Sequence, residues 1–294
     1  MIRTSITGIG DPFVLFHDGT YYLYATSAPD GFRCFTSADL VNWTCAGYCY
    51  SGSKWGENCF WAPEVYEREG KFYLLYTARW AEKHSLRIGL AVADSPLGPF
   101  ADLQDGPLFD FGYACIDATM FFDDDGKVYL YYVRDCSENL VDGVHTSQIY
   151  GGEVDPKTFA FKGDPVLLPP PDVPWETQHD PEWRWNEGPA LRKQNGRYYL
   201  NYSVNFYASL EYSVACAESA SPLGPFKKYE NNPILRYREN DFSGPGHNAF
   251  FTAADGTLWT AFHIHTDYEK RGGDRRACFA KVGFDENGKM KILV

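Results

Sequence analysis

Three acidic residues stand out because each opens an apolar segment that runs into a turn glycine. They are Asp11 in Gly-Asp-Pro-Phe-Val (10–14), Asp117 in Ile-Asp-Ala-Thr-Met-Phe (116–121) and Glu187 in Glu-Gly-Pro (187–189). Counting nine residues back from the glycines at 70, 126, 196 and 256 reaches Trp61, Asp117, Glu187 and His247, and eight back from Gly19 reaches Asp11. If the segments repeat one unit, these five positions are equivalent and converge on one mouth. Carboxylates gathered there would repel one another and lose hydration, which is costly unless they are partnered. Asp11 or Glu187 alone could simply cap a turn, since Pro follows each within two residues. The trio together points to chemistry. Hydrolysis of a glycosidic bond needs one carboxyl kept protonated and another kept ionised, and a third nearby can raise the acid's pKa and orient it.

The elements that must hold these residues are repeats. Segments 11–27, 61–78, 117–133, 187–203 and 247–263 share an apolar run, a turn with Gly, and an aromatic-rich strand. Their turn glycines (Gly19, Gly70, Gly126, Gly196, Gly256) are 51, 56, 70 and 60 residues apart. Turns such as His-Asp-Gly, Asp-Asp-Gly and Ala-Asp-Gly between apolar runs are hairpin signals, because Gly and Asp tolerate positive φ. Ser-Pro-Leu-Gly-Pro-Phe recurs at 95–100 and 221–226, each copy 25 residues past its turn glycine and just after a third apolar strand. A hairpin, a third strand and a closing segment make a four-stranded unit. The expected fold is all-β: one five-bladed β-propeller of four-stranded antiparallel blades over residues 1–294. Residues 167–185, rich in Pro and Trp, read as a long surface loop between the third and fourth blades.

Composition agrees. Aromatic residues make up 17% of the chain, which suits pleated strands and supplies flat rings for sugar faces. The formal net charge of -12 and the lack of a basic run argue against nucleic acid as a partner. No stretch is long and apolar enough to cross a membrane. The first residues lack a signal-peptide pattern, so a cytoplasmic location with reduced thiols is expected. The eight cysteines include a loose cluster at 34, 45, 49 and 59 without the paired short spacings of a zinc site. His263 and His265, two apart on a strand, share one face and suit packing or an ion.

In these residues the chain resembles glycoside hydrolase family 43 over nearly its full length. Gly-Asp-Pro-Phe-Val, Trp-Ala-Pro-Glu-Val (61–65), Ile-Asp-Ala-Thr-Met-Phe, Glu-Gly-Pro and Ser-Pro-Leu-Gly-Pro-Phe carry the likeness in order. The resemblance implies an inverting mechanism with Asp11 as general base, Glu187 as general acid and Asp117 tuning the acid. It implies that His247 touches a central cation or water, with no cofactor required beyond a structural Ca2+ in the channel. It also implies an Arg near the acid from the last blade, for which Arg276 is the candidate, with Arg275 adjoining and the register open. Candidate sugar-contacting walls are Phe60, Trp61, Tyr113, Trp183, Trp185, Phe206 and Tyr207, and residues 175–185 are the expected specificity element. A retaining, invertase-like relative would start Asn-Asp-Pro-Asn and carry Arg-Asp-Pro in mid-chain, where this sequence has Arg134-Asp135-Cys136.

The expected partner is an oligosaccharide. Within the family, β-xylosidases often carry a C-terminal sandwich domain, and the sequence ends after the fifth repeat. This favours an exo-acting α-L-arabinofuranosidase over a β-D-xylosidase. An endo-acting arabinanase and a non-catalytic carbohydrate-binding propeller are the alternatives.

Overall fold

A computed structural model describes residues 1–294, which form strands and turns; the two helical pieces are single 3-10 turns at Cys136–Glu138 and Pro174–Glu176. Five sheets carry the fold, with a small sixth beside them. The first meanders antiparallel through Gly10–His17, Thr20–Thr26, Gly31–Ser37 and Thr44–Ser51. The second uses Gly56–Arg68, Lys71–Trp80, Ser85–Ala93 and Ala101–Asp102, and the third Cys115–Phe122, Val128–Arg134, Gln148–Val154 and Val166–Leu167. The fourth is Asn186–Gln194, Arg197–Val204, Ser213–Ser219 and Lys227–Lys228. In the fifth, Gly246–Thr252, Leu258–His265 and Arg275–Phe284 are joined along one edge by both Met290–Leu293 and the N-terminal Ile2–Thr7.

The first strand of each sheet packs against the first strand of the next, and that of the fifth against that of the first. The apolar core follows the same cycle as wedges between consecutive sheets. Phe13, Tyr24 and Leu74 fill one between sheets one and two, and Tyr131, Leu200 and Ala217 another between three and four. Leu23, Ala261 and Phe279 do so between five and one. Second strands lie inside these wedges and are buried on both faces, which explains near-continuous apolar runs such as Val-Tyr-Leu-Tyr-Tyr-Val. The repeated Ser-Pro-Leu-Gly-Pro-Phe segment serves as a latch. Tyr24 Oη donates to the Pro96 carbonyl at 2.6 Å and Tyr131 Oη to that of Pro222 at 2.7 Å, so each copy ties a sheet to its neighbour.

Turn length corrects the sequence-derived register. Asp18-Gly19, Glu69-Gly70 and Asn195-Gly196 are two-residue turns with both φ positive, the form that matches strand twist. The third and fifth hairpins close through longer loops, spanned by Asp123 N–H to Lys127 O and Ala253 N–H to Thr257 O, each 2.9 Å. A fixed count back from the glycine therefore lands on different positions. In register, the equivalent residues are Gly10, Trp61, Ile116, Glu187 and Gly246, facing Thr26, Thr77, Val133, Ser203 and His263 on the second strands. The residue after each is bulged out with positive φ: Asp11 (54°), Ala62 (46°), Asp117 (53°), Gly188 (54°) and His247 (47°). Trp61 and Glu187 thus sit one position before the class that holds Asp11, Asp117 and His247.

Residues 167–185 are more than a surface loop. Their 3-10 turn buries Glu176 completely, where it accepts from Tyr202 Oη at 2.8 Å and Lys228 Nζ at 2.6 Å. Beyond it, Trp183–Arg184 joins Val144–Thr146 and Leu140–Val141 in the sixth sheet, and this seats the tryptophans beside the first-strand ends.

Candidate active site

The bulges organise a cleft at the ends of the five first strands. A non-glycine residue at positive φ is strained and persists only where its surroundings hold it. Here the N–H of each bulged residue is captured by a neighbouring sheet. Ala62 N–H donates to Thr26 Oγ1 at 2.9 Å, Asp117 N–H to Thr77 Oγ1 at 3.0 Å and His247 N–H to Ser203 Oγ at 2.7 Å. Asp11 N–H donates to His263 Nδ1 at 3.2 Å. Between the third and fourth sheets the second strand offers Val133, which has no acceptor, and Asp117 Oδ2 takes the Gly188 N–H instead at 3.1 Å. That bond pins the Asp117 carboxylate beside Glu187.

The resulting cleft, of about 250 Å³, is floored by Asp11, Asp117, Glu187, Asp135, His247 and Arg275 and walled by Trp61, Trp185, Phe206, Tyr207 and Tyr212. Two glycines in the register positions make room for it. A Cβ on Gly10 would meet the Arg275 guanidinium at 2.1 Å, and one on Gly246 the Tyr212 ring at 2.0 Å.

The carboxyls are held in different states. Burial pushes Asp11 up, but the guanidinium of Arg275 and then the His247 ring outweigh it and hold this carboxyl well below the usual range. Arg275 Nη1 donates to Asp11 Oδ1 at 3.0 Å, Thr26 Oγ1 donates to Oδ2 at 2.6 Å, and His247 Nδ1 lies 3.4 Å from Oδ1. His263 is fully buried, and burial beside Arg275 pushes its pKa far down. It is neutral, with the Nδ1 lone pair turned to the Asp11 N–H. Glu187 is the opposite case. Burial, then the charges of Asp117 and Asp135, raise it well above an ordinary glutamate, opposed only by Ser147 Oγ at 3.3 Å from Oε1. Asp117 is raised to about 6, by burial first and by Asp11, against the opposing His247. One cleft therefore holds a carboxyl whose pKa is held low and another whose pKa is pushed high, a combination suited to general base and general acid work.

The structure brings Asp11, Asp117, Glu187, His247, Trp61, Trp185, Phe206 and Tyr207 to this cleft and separates others from it. The arginine is Arg275, not Arg276. Successive strand residues face opposite sides, and Arg276 is turned away beside Thr7 of the N-terminal strand. Arg275 also serves Asp11 rather than Glu187. Phe60 is 4% exposed and packs with Phe32, Tyr50 and Tyr76 between the first two sheets, because it too lies one residue from the cleft-facing Trp61. Tyr113 carries the Arg134 guanidinium at 4.4 Å and bonds Tyr132 Oη at 2.8 Å, outside the cleft. Trp183 stacks on His145 at 3.9 Å and backs Trp185 at 6.1 Å without lining the floor. Sequence reasoning missed Thr26, Asp135 and Tyr212. Only Asp135 had a signal: a carboxylate at the end of a second strand.

The calcium expected near His247 finds few donors. Nδ1 faces the carboxylates of Asp11 and Asp117, at 3.4 and 3.9 Å, and Asp11 is already engaged by Arg275. Calcium takes six to eight oxygens, so an ion on this ring would draw most of its shell from water. His265 is occupied otherwise, with Nδ1 2.9 Å from Ser243 Oγ and Nε2 2.9 Å from the Tyr207 carbonyl. All eight cysteines are free thiols, and burial raises Cys49 to about 12.

Known proteins share this architecture. The family model for glycosyl hydrolases family 43 matches residues 6–290. A crystal structure of a thermostable family-43 glycoside hydrolase superposes with a TM-score of 0.95 at 45% identity, covering 100% of this chain and 96% of that one. Xylosidase/arabinosidase 43A of Humicola insolens is 31% identical over 80% of this chain and 75% of its own length. Beta-D-galactofuranosidase xynD of Aspergillus niger is 25% identical over 95% of this chain and 81% of its own.

Proposed function

The chain belongs to glycosyl hydrolases family 43, and from that premise we propose an inverting exo-glycosidase that releases α-L-arabinofuranose from oligosaccharides. The reading of the scaffold is a five-bladed β-propeller. It is supported by five sheets whose first strands touch in a cycle and by core wedges that follow the same cycle. One feature carries the chemistry: Arg275 bonds Asp11 at 3.0 Å and holds its carboxyl low, while burial and neighbouring carboxylates push Glu187 up in the same cleft.

In the proposed reaction, Asp11 removes a proton from water as its oxygen attacks the anomeric carbon. The bond to the leaving oxygen breaks, and Glu187 gives that oxygen its proton. Asp11 ends protonated and Glu187 ionised, and exchange with solvent restores both. Asp11 and Glu187 stand on the first and fourth sheets, with His247 of the fifth between them, an arrangement that suits the gap of roughly 6.5–9.5 Å inversion needs for water. Asp117, pinned by the Gly188 N–H, raises and orients the acid. Trp61, Trp185, Phe206 and Tyr212 offer faces for the sugar ring.

The furanoside preference is supported by the galactofuranosidase relative, because β-D-galactofuranose and α-L-arabinofuranose share the ring configuration. The dual name of the Humicola relative favours β-D-xyloside as the second substrate. The test compares wild type, Asp11→Ala and Glu187→Ala on α-L-arabinofuranosides and β-D-xylosides bearing 4-nitrophenyl or sugar leaving groups, with product anomers followed by NMR. Glu187→Ala should lose sugar-linked substrates far more than nitrophenyl ones, which need no proton. Asp11→Ala should lose both. A product of retained configuration would overturn the roles of Asp11 and Glu187.

A further inference from the structure

Asp135 is a fourth carboxylate in the cleft and has no part in the reaction as described above. It follows Val128–Arg134, the second strand of the third sheet, and is 7% exposed. Its N–H donates to the Ala114 carbonyl at 2.9 Å, which fixes the backbone. Its Oδ1 accepts from the Ser137 N–H at 3.0 Å and also from the Ser137 hydroxyl. No cation balances it. The adjacent Arg134 turns its guanidinium onto the Tyr113 ring, and Asp135 forms no ion pair. One oxygen of Asp135, one of Glu187 and the Cys136 sulfur all lie within 4.8 Å of one another.

We propose that Asp135 is a positioning residue that acts through Glu187, its buried carboxylate, held by Ser137, keeping Glu187 in the acid form. Two carboxyls this close in a buried site do not both ionise readily, so one keeps a proton. The hydrogen bonds decide which. Two donors from Ser137 stabilise the charge on Asp135, whereas Glu187 has only the Ser147 hydroxyl at 3.3 Å. The other groups facing Glu187 are Asp117 on the third sheet, Asp11 on the first, and the Tyr212 and His247 rings from the fourth and fifth. Asp11 is paired with Arg275, and Asp117 is engaged by the Gly188 N–H and faces the His247 ring, so Asp135 is the neighbouring carboxylate without a basic partner. In Glu187, Asp135 follows Asp117 among the charges that raise the carboxyl.

This inference rests on the acid role proposed for Glu187, and the experiment separates the two. The Glu187 carboxyl is titrated by 13C NMR in glutamate-labelled protein, its signal assigned with Glu187→Gln, and the pH profile of kcat/KM is recorded beside it. In Asp135→Asn the Glu187 midpoint and the basic limb of the profile should both move to a pH roughly one to two lower. Asp135→Ala should give the same shift if the Asn variant folds poorly, and Asp135→Glu should bring the limb back toward wild type. An unmoved midpoint with raised KM would make Asp135 a sugar-hydroxyl acceptor and overturn the inference. A moved midpoint in a protein that cleaves no glycoside would uphold the inference while refuting the proposed function.

Discussion

Asp117→Asn should make the protein more stable at pH 8 and less active. Asp117 is buried, with a pKa of about 6 against an ordinary 3.8. A carboxyl raised on folding favours the folded state only while it is protonated. Its contribution is full below about pH 4, fades as the pH climbs through about 6, and above that leaves a deficit of about 3 kcal/mol. Asparagine fits the same space, and its Oδ1 still accepts the Gly188 N–H, so the substitution removes the charge without opening a cavity. For a domain of this size the gain corresponds to roughly 5 °C of melting temperature, some of it offset by the loss of attraction to His247. Thermal denaturation followed by circular dichroism at pH 4 and pH 8 measures it. Near-zero change is expected at pH 4 and the full gain at pH 8, with kcat/KM at pH 7 down at least about tenfold because Glu187 loses a charge that keeps it protonated. An equal melting difference at both pH values, or a variant less stable at pH 8, would refute the reasoning.

Arg275→Met should raise the acidic limb of the pH–rate profile by roughly one to three in pH, because Asp11 loses the 3.0 Å partner that holds it ionised. Arg276→Met should leave that limb in place, since its side chain faces the N-terminal strand. Phe60→Ala should cost about 3–5 kcal/mol of stability in urea unfolding, as a large core ring leaves a cavity. Trp61→Ala should raise KM with little loss of stability, because that ring is 36% exposed over the cleft.

The acidic trio was legible because its members stand at the ends of repeats whose turns announce themselves. Asp18-Gly19 and Asn195-Gly196 have the conformation their residue types predict. Trp61 and Glu187 do not share the register position of Asp11, Asp117 and His247. Turn glycines mark where a hairpin reverses but not how many residues the loop spends, and the third and fifth loops are longer. Phe60 and Arg276 failed for a related reason: strands show alternate faces, so an error of one residue exchanges core for cleft. Asp135 is hidden because its neighbour Glu187 comes from the next sheet, and Thr26 because only the hairpin returns it to Asp11.

Periodicity, turn chemistry and composition are local, so the sequence by itself determined the all-β class, the repeats and the residues able to do acid–base chemistry. Protonation states are not local. Asp11 and Glu187 are both ordinary carboxylic acids along the chain, and only the tertiary structure gives one an arginine from the far end of the sequence and the other two carboxylate neighbours in a buried cleft. Burial strengthens interactions between charges that contiguous sequence never brings together, and that is why the fold, not the sequence, sets the opposite pKa shifts of the two acids.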